Sequence, residues 1–515
     1  MKKTLFLSLF LAWVNGAEAQ KLYLEALSRY YNPALKPFYH GVASGDPTPH
    51  SVMIWTKITL DAEQPTSVRW ELASDSLFSN VLKNGEAPTD ASRNGTVLVD
   101  VDGLAPNTYY FYRFSHGAAT STTGRTKTAP TGQPKQVKMA VVSCSNFEAG
   151  YFNAYALLAR RDDIDVVLHL GDYIYEYKTG GFGNKKLARK NIPQTEIVAL
   201  DDYRARYSLY RLDPDLQLVH ARHPFITIWD DHEIANDAYT EGAQNHQPDE
   251  EGDWETRKNA ARQAYFEWLP VRRGPSENLY RQFSFGDLAD LWMLDGRLEG
   301  RTKQAKSAND PDFAADSRRM LGEQQLQWLT QGMKQSTATW RVIGNQVFLS
   351  SVDASKVFKQ NPKFMDMWDG YPAARNRLFD FFETNNMKNI VVVTGDSHTS
   401  WAFDLVKNPH TRATYDPKTG KGVVGVEFCA PSITSANYDE YVARWKAKIA
   451  SRRFSKGGIN PHVRYRDLVH HGYVLLTLTP ATATAEWYHV KRILKPTRRE
   501  KRAAKRTYSP QNRGM

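Results

Sequence analysis

Four polar clusters in this chain carry residue types that bind cations or move protons. They are Ser143-Cys144-Ser145-Asn146, Gly171-Asp172 with Tyr175 three residues on, Asp230-Asp231-His232-Glu233, and Gly395-Asp396-Ser397-His398. Each follows an apolar run with the length and β-branched content of a buried parallel strand. A carboxylate at the carboxyl end of such a strand faces the crevice where α/β sheets receive ligands. Taken singly, any tip has an ordinary explanation as a helix N-cap or a core hydrogen bond. Four tips, one with Cys and two joining Asp to His, fit better with convergence at one sheet edge. Once gathered, these groups repel one another and are costly to desolvate without cations. Metal ions remove the objection, because they need their ligands deprotonated. Gly171 lets a second backbone or a ligand come close. Tyr175 shares a face with Asp172 if the chain turns helical there.

The elements that position these tips begin at Val137. Strands are expected over Lys138–Cys144, up to Leu170, over Phe225–Trp229, Leu288–Leu294, Arg341–Leu349 and Asn389–Thr394, then near Gly425–Phe428 and Tyr473–Leu478. Helices are expected over Tyr151–Arg161, Trp254–Trp268 and Pro372–Phe382, with another carrying Leu326, Leu329 and Met333. This alternation predicts a layered α/β domain over 137–490, its helices outside the sheet. Residues 178–200 are Gly- and Lys-rich without periodicity and read as an active-site loop. Upstream, residues 35–130 read as a separate all-β module that donates no catalytic group. Gly103 to Arg113 resembles the turn and strand of a fibronectin-type sandwich with its tyrosine corner.

Composition narrows the function. Lys2 and Lys3, the apolar run Leu5–Val14 and Ala17-Glu18-Ala19 form a signal peptide over residues 1–19, which implies a periplasmic or secreted protein. The leader has neither a twin-arginine pair nor a cysteine at the cleavage site. No later segment is apolar enough to span a membrane. The only cysteines are Cys144 and Cys429, which excludes a disulfide scaffold. The two can pair, or serve apart as a metal ligand and a buried thiol. Residues 491–515 form a basic tail, with nine Lys and Arg against one acid between Lys491 and Arg506. Such a run is ordinarily a solvated, mobile end, with a weak hold on an anionic surface as the sharper alternative. No nucleic-acid-binding module, Walker loop or dinucleotide fingerprint is present.

In joint order, several motifs resemble the PhoD-like alkaline phosphatase and phosphodiesterase family of the calcineurin-like metallophosphoesterases. They are His40 to Pro47 with Ile54-Trp55-Thr56, Ser143-Cys144-Ser145, Leu170 to Glu176, Trp229 to Glu233 and Thr394 to His398. The resemblance implies a metallophosphoesterase-type β-sandwich core flanked by helices, preceded by a small fibronectin-like sandwich. It also implies Fe3+ held by Cys144, Asp172 and Tyr175, with Asp172 bridging to one or more Ca2+; other divalent metals would serve similar positions. Asp231, Asp396 and His398 match further ligands, and Asn345 is a weaker match. His232 matches the histidine that faces the leaving group or the phosphoryl oxygens, beside Asp231. Thiolate and phenolate suit a redox-capable metal, and oxygen-only surroundings suit Ca2+. Such a centre lowers the pKa of bound water from about 15.7 toward neutrality and supplies hydroxide for in-line attack on phosphate mono- or diesters. Arg204 and Arg206 could add donors, although their stretch, Tyr203 to Tyr207, reads slightly better as an amphipathic helix face.

Two other classes compete. A serine hydrolase would use Ser397 between Asp396 and His398, yet the chain has no Gly-x-Ser-x-Gly elbow, and residues adjacent on a strand point to opposite faces. A catalytically silent surface-binding protein has no need of so full a ligand set. Within the family, a phospholipase D-like diesterase is the alternative to a phosphatase acting on small esters.

Overall fold

The computed structural model describes residues 16–59, 64–273, 278–357, 363–454, 458–511 and 515. Residues 1–15 of the expected leader lie outside the described residues. No described helix is long and apolar enough to cross a membrane.

Two large sheets carry the fold. The nine-stranded sheet runs, edge to edge, through Glu500–Tyr508, Ala483–Val490, Gly472–Leu478, Val137–Val142, Val166–His169, Pro224–Thr227, Val42–Gly45, Val52–Lys57 and Thr96–Val101. The seven-stranded sheet runs through Arg281–Phe285, Ala289–Met293, Trp340–Gly344, Ile390–Thr394, Gly425–Cys429, Ser400–Leu405 and Val463–Asp467. Alternation along one strand shows how the layers stack. Val391 and Val393 share a core with Val141 and Val167 of the other sheet. Ile390 and Val392 pack instead with Leu329 and Leu378 of the helices Glu323–Gln335 and Pro372–Thr384. The period of two along a strand therefore gives sheet on sheet with helices outside.

Both sheets have parallel centres. Val137–Val142, Val166–His169 and Pro224–Thr227 run parallel in one. Ala289–Met293, Trp340–Gly344, Ile390–Thr394 and Gly425–Cys429 do so in the other. Their carboxyl ends open at the same rim of the sandwich, which is where the polar tips lie. The helix Trp254–Trp268 has the expected bounds and is capped by Asp253, whose carboxylate accepts from the Thr256 amide at 2.8 Å. The helix expected over Tyr151–Arg161 is shorter, Asn153–Leu158.

The upstream module is all-β, but it is not separate. Val42–Gly45 pairs in parallel with Pro224–Thr227, so three of its strands belong to the nine-stranded sheet. The rest form a smaller sheet around Thr66–Ala73 and Tyr109–His116. Between the two lies a core of Val42, Ile54, Val68, Leu72, Tyr112 and Phe114. One wall of this small sandwich is thus the nine-stranded sheet itself. The tyrosine corner is present: Tyr110 Oη accepts from the Ala105 amide at 2.8 Å.

The basic tail is not a mobile end. Glu500–Tyr508 is an edge strand antiparallel to Ala483–Val490. Tyr508 is buried against Trp340, and Glu500 accepts from Tyr473 Oη at 2.8 Å. The strand is hard to see in sequence because its apolar-in, polar-out alternation is broken: Lys501, Arg502 and Ala503 are exposed in a row where the pairing shifts register, and Lys505 is exposed beyond them. Lysine-rich edges resist strand-to-strand aggregation. Deleting residues 500–515 is expected to cost about 2–3 kcal/mol, the order of burying one aromatic side chain, and to raise aggregation. Calorimetry and light scattering check this; an unchanged Tm would mean the tail contributes nothing to the sheet.

Candidate active site at the strand tips

The sandwich brings the four sequence tips together. Cys144, Asp172 and His398 each offer a ligand atom within 4.8 Å of the others, as do Asp172, Asp231 and His232, and also Asp230, Asp231 and Asp396. Asp172 belongs to the first two groups and Asp231 to the last two, so the clusters form one chain of donors. None of these residues comes from 35–130.

Local backbone geometry produces this convergence. Cys144, Asp172, Asp396 and His398 all have positive φ, at 62°, 56°, 53° and 59°. Residues other than glycine rarely adopt that region, and such strain concentrates at functional sites. Gly171, at φ 101°, passes so close to Asp230 that an added Cβ would lie 2.3 Å from the Asp230 Cβ. The glycine is needed for the close approach that its position suggested. Glu233 then ties the tips together, its carboxylate accepting from the amides of Asp172 (2.9 Å), Tyr173 (2.6 Å) and Asp230 (2.9 Å).

Side-chain hydrogen bonds orient the donors. His398 donates through Nδ1 to the Ala436 carbonyl at 3.0 Å, which turns Nε2 toward Tyr175 Oη at 3.4 Å. Tyr175 Oη donates to Asp172 Oδ2 at 2.9 Å and accepts from Ser435 Oγ at 2.6 Å. Glu176 Oε2 takes His232 Nδ1 at 2.7 Å, leaving Nε2 for the cavity. That cavity, of about 440 Å³, is lined by Asp172, Asp231, His232, Asp396 and His398, with Phe364, Met365 and Met367 on its wall.

Among the side chains at these tips, Asp172 Oδ1, Asp230 Oδ2, Asp231 Oδ1 and Asn345 Oδ1 are buried without a hydrogen-bond partner, although Arg297 Nη2 lies 3.6 Å from Asp231 Oδ1. Burial and the neighbouring carboxylates hold Asp172 and Asp396 well above the usual carboxylate range. Burial, then Asp172, pushes the Cys144 thiol and the Tyr175 phenol up in the same way. His232 goes the other way: against burial, Asp231, Glu176 and Asp172 raise it and favour the imidazolium. Buried acceptors left without hydrogen bonds, with thiol, phenol and imidazole beside them, are a donor set that fits cations.

Arg297 is the central residue that the sequence reading missed. Fully buried, it reaches Asp230 at 2.5 Å, Asp366 at 2.8 Å, Asp396 at 3.4 Å and Asp231 at 3.6 Å. With Arg301 it holds Asp366, despite burial, at about 2. The signal was present, since Asp295-Gly296-Arg297 follows an apolar strand as the other tips do. Arg204 and Arg206 are elsewhere. Arg204 pairs with Glu267 at 2.6 Å, and Arg206 donates to loop carbonyls including Tyr177 (3.2 Å) and Pro193 (3.0 Å). Ser397 Oγ contacts Thr399 Oγ1 at 3.1 Å and Cys429 Sγ at 3.3 Å, with no histidine base among these partners. Both cysteines are free.

A two-sheet α/β sandwich that gathers carboxylates, imidazoles and a thiol at its parallel strand ends has the build of a phosphoester hydrolase. The chain belongs to the PhoD-like phosphatase family, whose description it matches over residues 139–487, with the family's N-terminal domain matching over 25–130. It is 36% identical to alkaline phosphatase D of Bacillus subtilis (strain 168) over 475 residues, 88% of this chain and 77% of that protein. A solved structure of PhoD superposes with a TM-score of 0.83 at 34% identity, covering 94% of this chain and 92% of that one. The protein is therefore a PhoD-like phosphoesterase, of a family that points to metal dependence.

Arg297→Met should leave Asp230, Asp231, Asp366 and Asp396 without their shared cation. Breaking a buried pair costs about 3–5 kcal/mol. Thermal unfolding should show the larger loss in chelator-treated protein and a smaller one with metal restored. Equal losses in both states would separate Arg297 from the cation cluster.

Proposed function

We propose that the strand-tip cluster is a multinuclear cation centre at which phosphate mono- or diesters are hydrolysed. The supporting observation is the set of buried oxygens without a hydrogen-bond partner on Asp172, Asp230, Asp231 and Asn345, with Asp172 within 4.8 Å of donor atoms on Cys144 and His398. Cys144, Asp172 and Tyr175 would hold ferric iron, with Asp172 shared toward calcium. Asp231, Asp396, His398 and Asn345 complete the donor set. When bound, such cations neutralise phosphoryl charge and lower the pKa of a water.

The chain's own residues supply the remaining functions. His232, fixed through Nδ1 by Glu176, directs Nε2 into the cavity, and its acidic neighbours keep a proton there. That proton can be donated to a phosphoryl oxygen or to the leaving oxygen. Asp231 lies beside His232 and favours its charged form. Tyr175 Oη lies between Asp172 and Ser435, so as an iron-bound phenolate it would give up the proton it donates to Asp172 and keep the bond it accepts from Ser435. Phe364, Met365 and Met367 give the ester's organic group an apolar wall. The leader over residues 1–19 would send the enzyme by the general secretory route to the periplasm or beyond.

Metal removal tests this reading. Chelation should abolish hydrolysis of a nitrophenyl monoester and its diester, and readdition of iron with calcium should restore it. His232→Asn should lower kcat about 10²–10³-fold with metal content unchanged. Cys144→Ser should lose metal and activity together. Full activity in metal-free protein would overturn the reading.

A further inference from the structure

Between the active-site rim and the C-terminal strand lies a surface that plays no part in the fold's own packing. Ala436, whose carbonyl orients His398, leads into the short helix Tyr438–Tyr441 and then the helix Arg444–Arg453. The second helix buries Ala447, Ala450 and Phe454 at its C-terminal end, which defines its inward face. At 100° per residue, the opposite face is centred on Trp445 and Ile449. These are 62% and 39% exposed, and Tyr441 and Val442, in the turn before, are 65% and 37% exposed. Four large apolar side chains within nine residues, all facing solvent, make a patch rather than scattered exposure.

Charge surrounds this patch. Lys448, Arg452 and Arg453 flank Trp445 and Ile449, and Lys446 lies 5.6 Å over the Trp445 ring. The helix contains no acid, and Arg444 pairs with Asp439 at 2.8 Å and His470 at 2.8 Å. Arg444 also borders a groove shared with Lys491, Arg499 and Lys501, where basic side chains outnumber the acids Asp467 and Glu500. An aromatic and aliphatic stripe between long basic side chains is the pattern of a helix lying in a bilayer interface. Its rings sit at headgroup depth, and its lysines and arginines reach lipid phosphates.

We propose that Tyr441 to Arg453 docks the enzyme onto an anionic lipid bilayer, which holds the active-site rim near the membrane surface. Charge complementarity selects this occupant. A second copy of the chain would have to bring the same basic helix against itself.

Sedimentation of the full chain with vesicles tests the proposal. Binding to phosphatidylglycerol-rich vesicles should exceed binding to phosphatidylcholine vesicles by at least about tenfold and weaken with salt. Trp445→Ser with Ile449→Ser should weaken it about tenfold. Hydrolysis of a soluble nitrophenyl ester and Tm should stay unchanged, since both side chains are exposed. Lys446→Glu with Lys448→Glu should remove the preference for anionic lipid. Equal sedimentation with both vesicle types would overturn the proposal, as would unchanged binding by the Trp445/Ile449 variant. So would a wild-type dimer that the same variant abolishes while vesicles bind neither protein.

Discussion

The structure depends on crowding acidic groups into one dry crevice. Asp172, Asp230, Asp231, Glu233 and Asp396 come from three strand ends of two sheets, and all but Asp396 are buried. Water does not reach the buried oxygens, and like charges at this spacing oppose ionisation. Two groups make the crowding tolerable. Glu233 consumes three tip amides, and Arg297 places one guanidinium among four carboxylates. Unpartnered oxygens remain after both, so the protein's own groups do not satisfy the pocket. The proposed cation centre would resolve this: the carboxylates would attract cations, and those cations would in turn offset phosphoryl charge during reaction.

The sheets exist in this form to hold that crevice. Parallel strands from both layers end at one rim, and left-handed residues at Cys144, Asp172, Asp396 and His398 turn the side chains inward. Such conformations cost about 1–3 kcal/mol each and persist only where packing over-determines them. Here the packing is a core shared between the two sheets, extended by the N-terminal strands. That strand pairing widens and braces the nine-stranded sheet, whose strand ends lead to Cys144, Asp172 and Asp230.

Much of this was legible in the chain. Buried parallel strands are near-continuous apolar runs, so their ends, and the polar tips beyond, stand out in sequence. The helix Trp254–Trp268 is similarly plain, because Asp253 caps it and Ala261, Tyr265 and Trp268 recur on one face. Arg297 was less visible, since a cation at a tip does not look like a ligand and its partners are remote in sequence. The C-terminal strand was hidden by its charges and by an irregular pairing that leaves Lys501, Arg502 and Ala503 exposed in succession. Nor does any local pattern reveal that Val42–Gly45 pairs with Pro224–Thr227; that register depends on two segments far apart in the chain.

The central claim is that the crevice around Asp172 is a cation site, and anomalous diffraction from crystals of the metal-loaded enzyme tests it most directly. The account predicts an anomalous peak within ligand distance of Cys144, Asp172 and Tyr175, and further cation density beside Asp231 and Asp396. A fully active crystal with no ion near Asp172, its Oδ1 bonded only to protein or water, would contradict it.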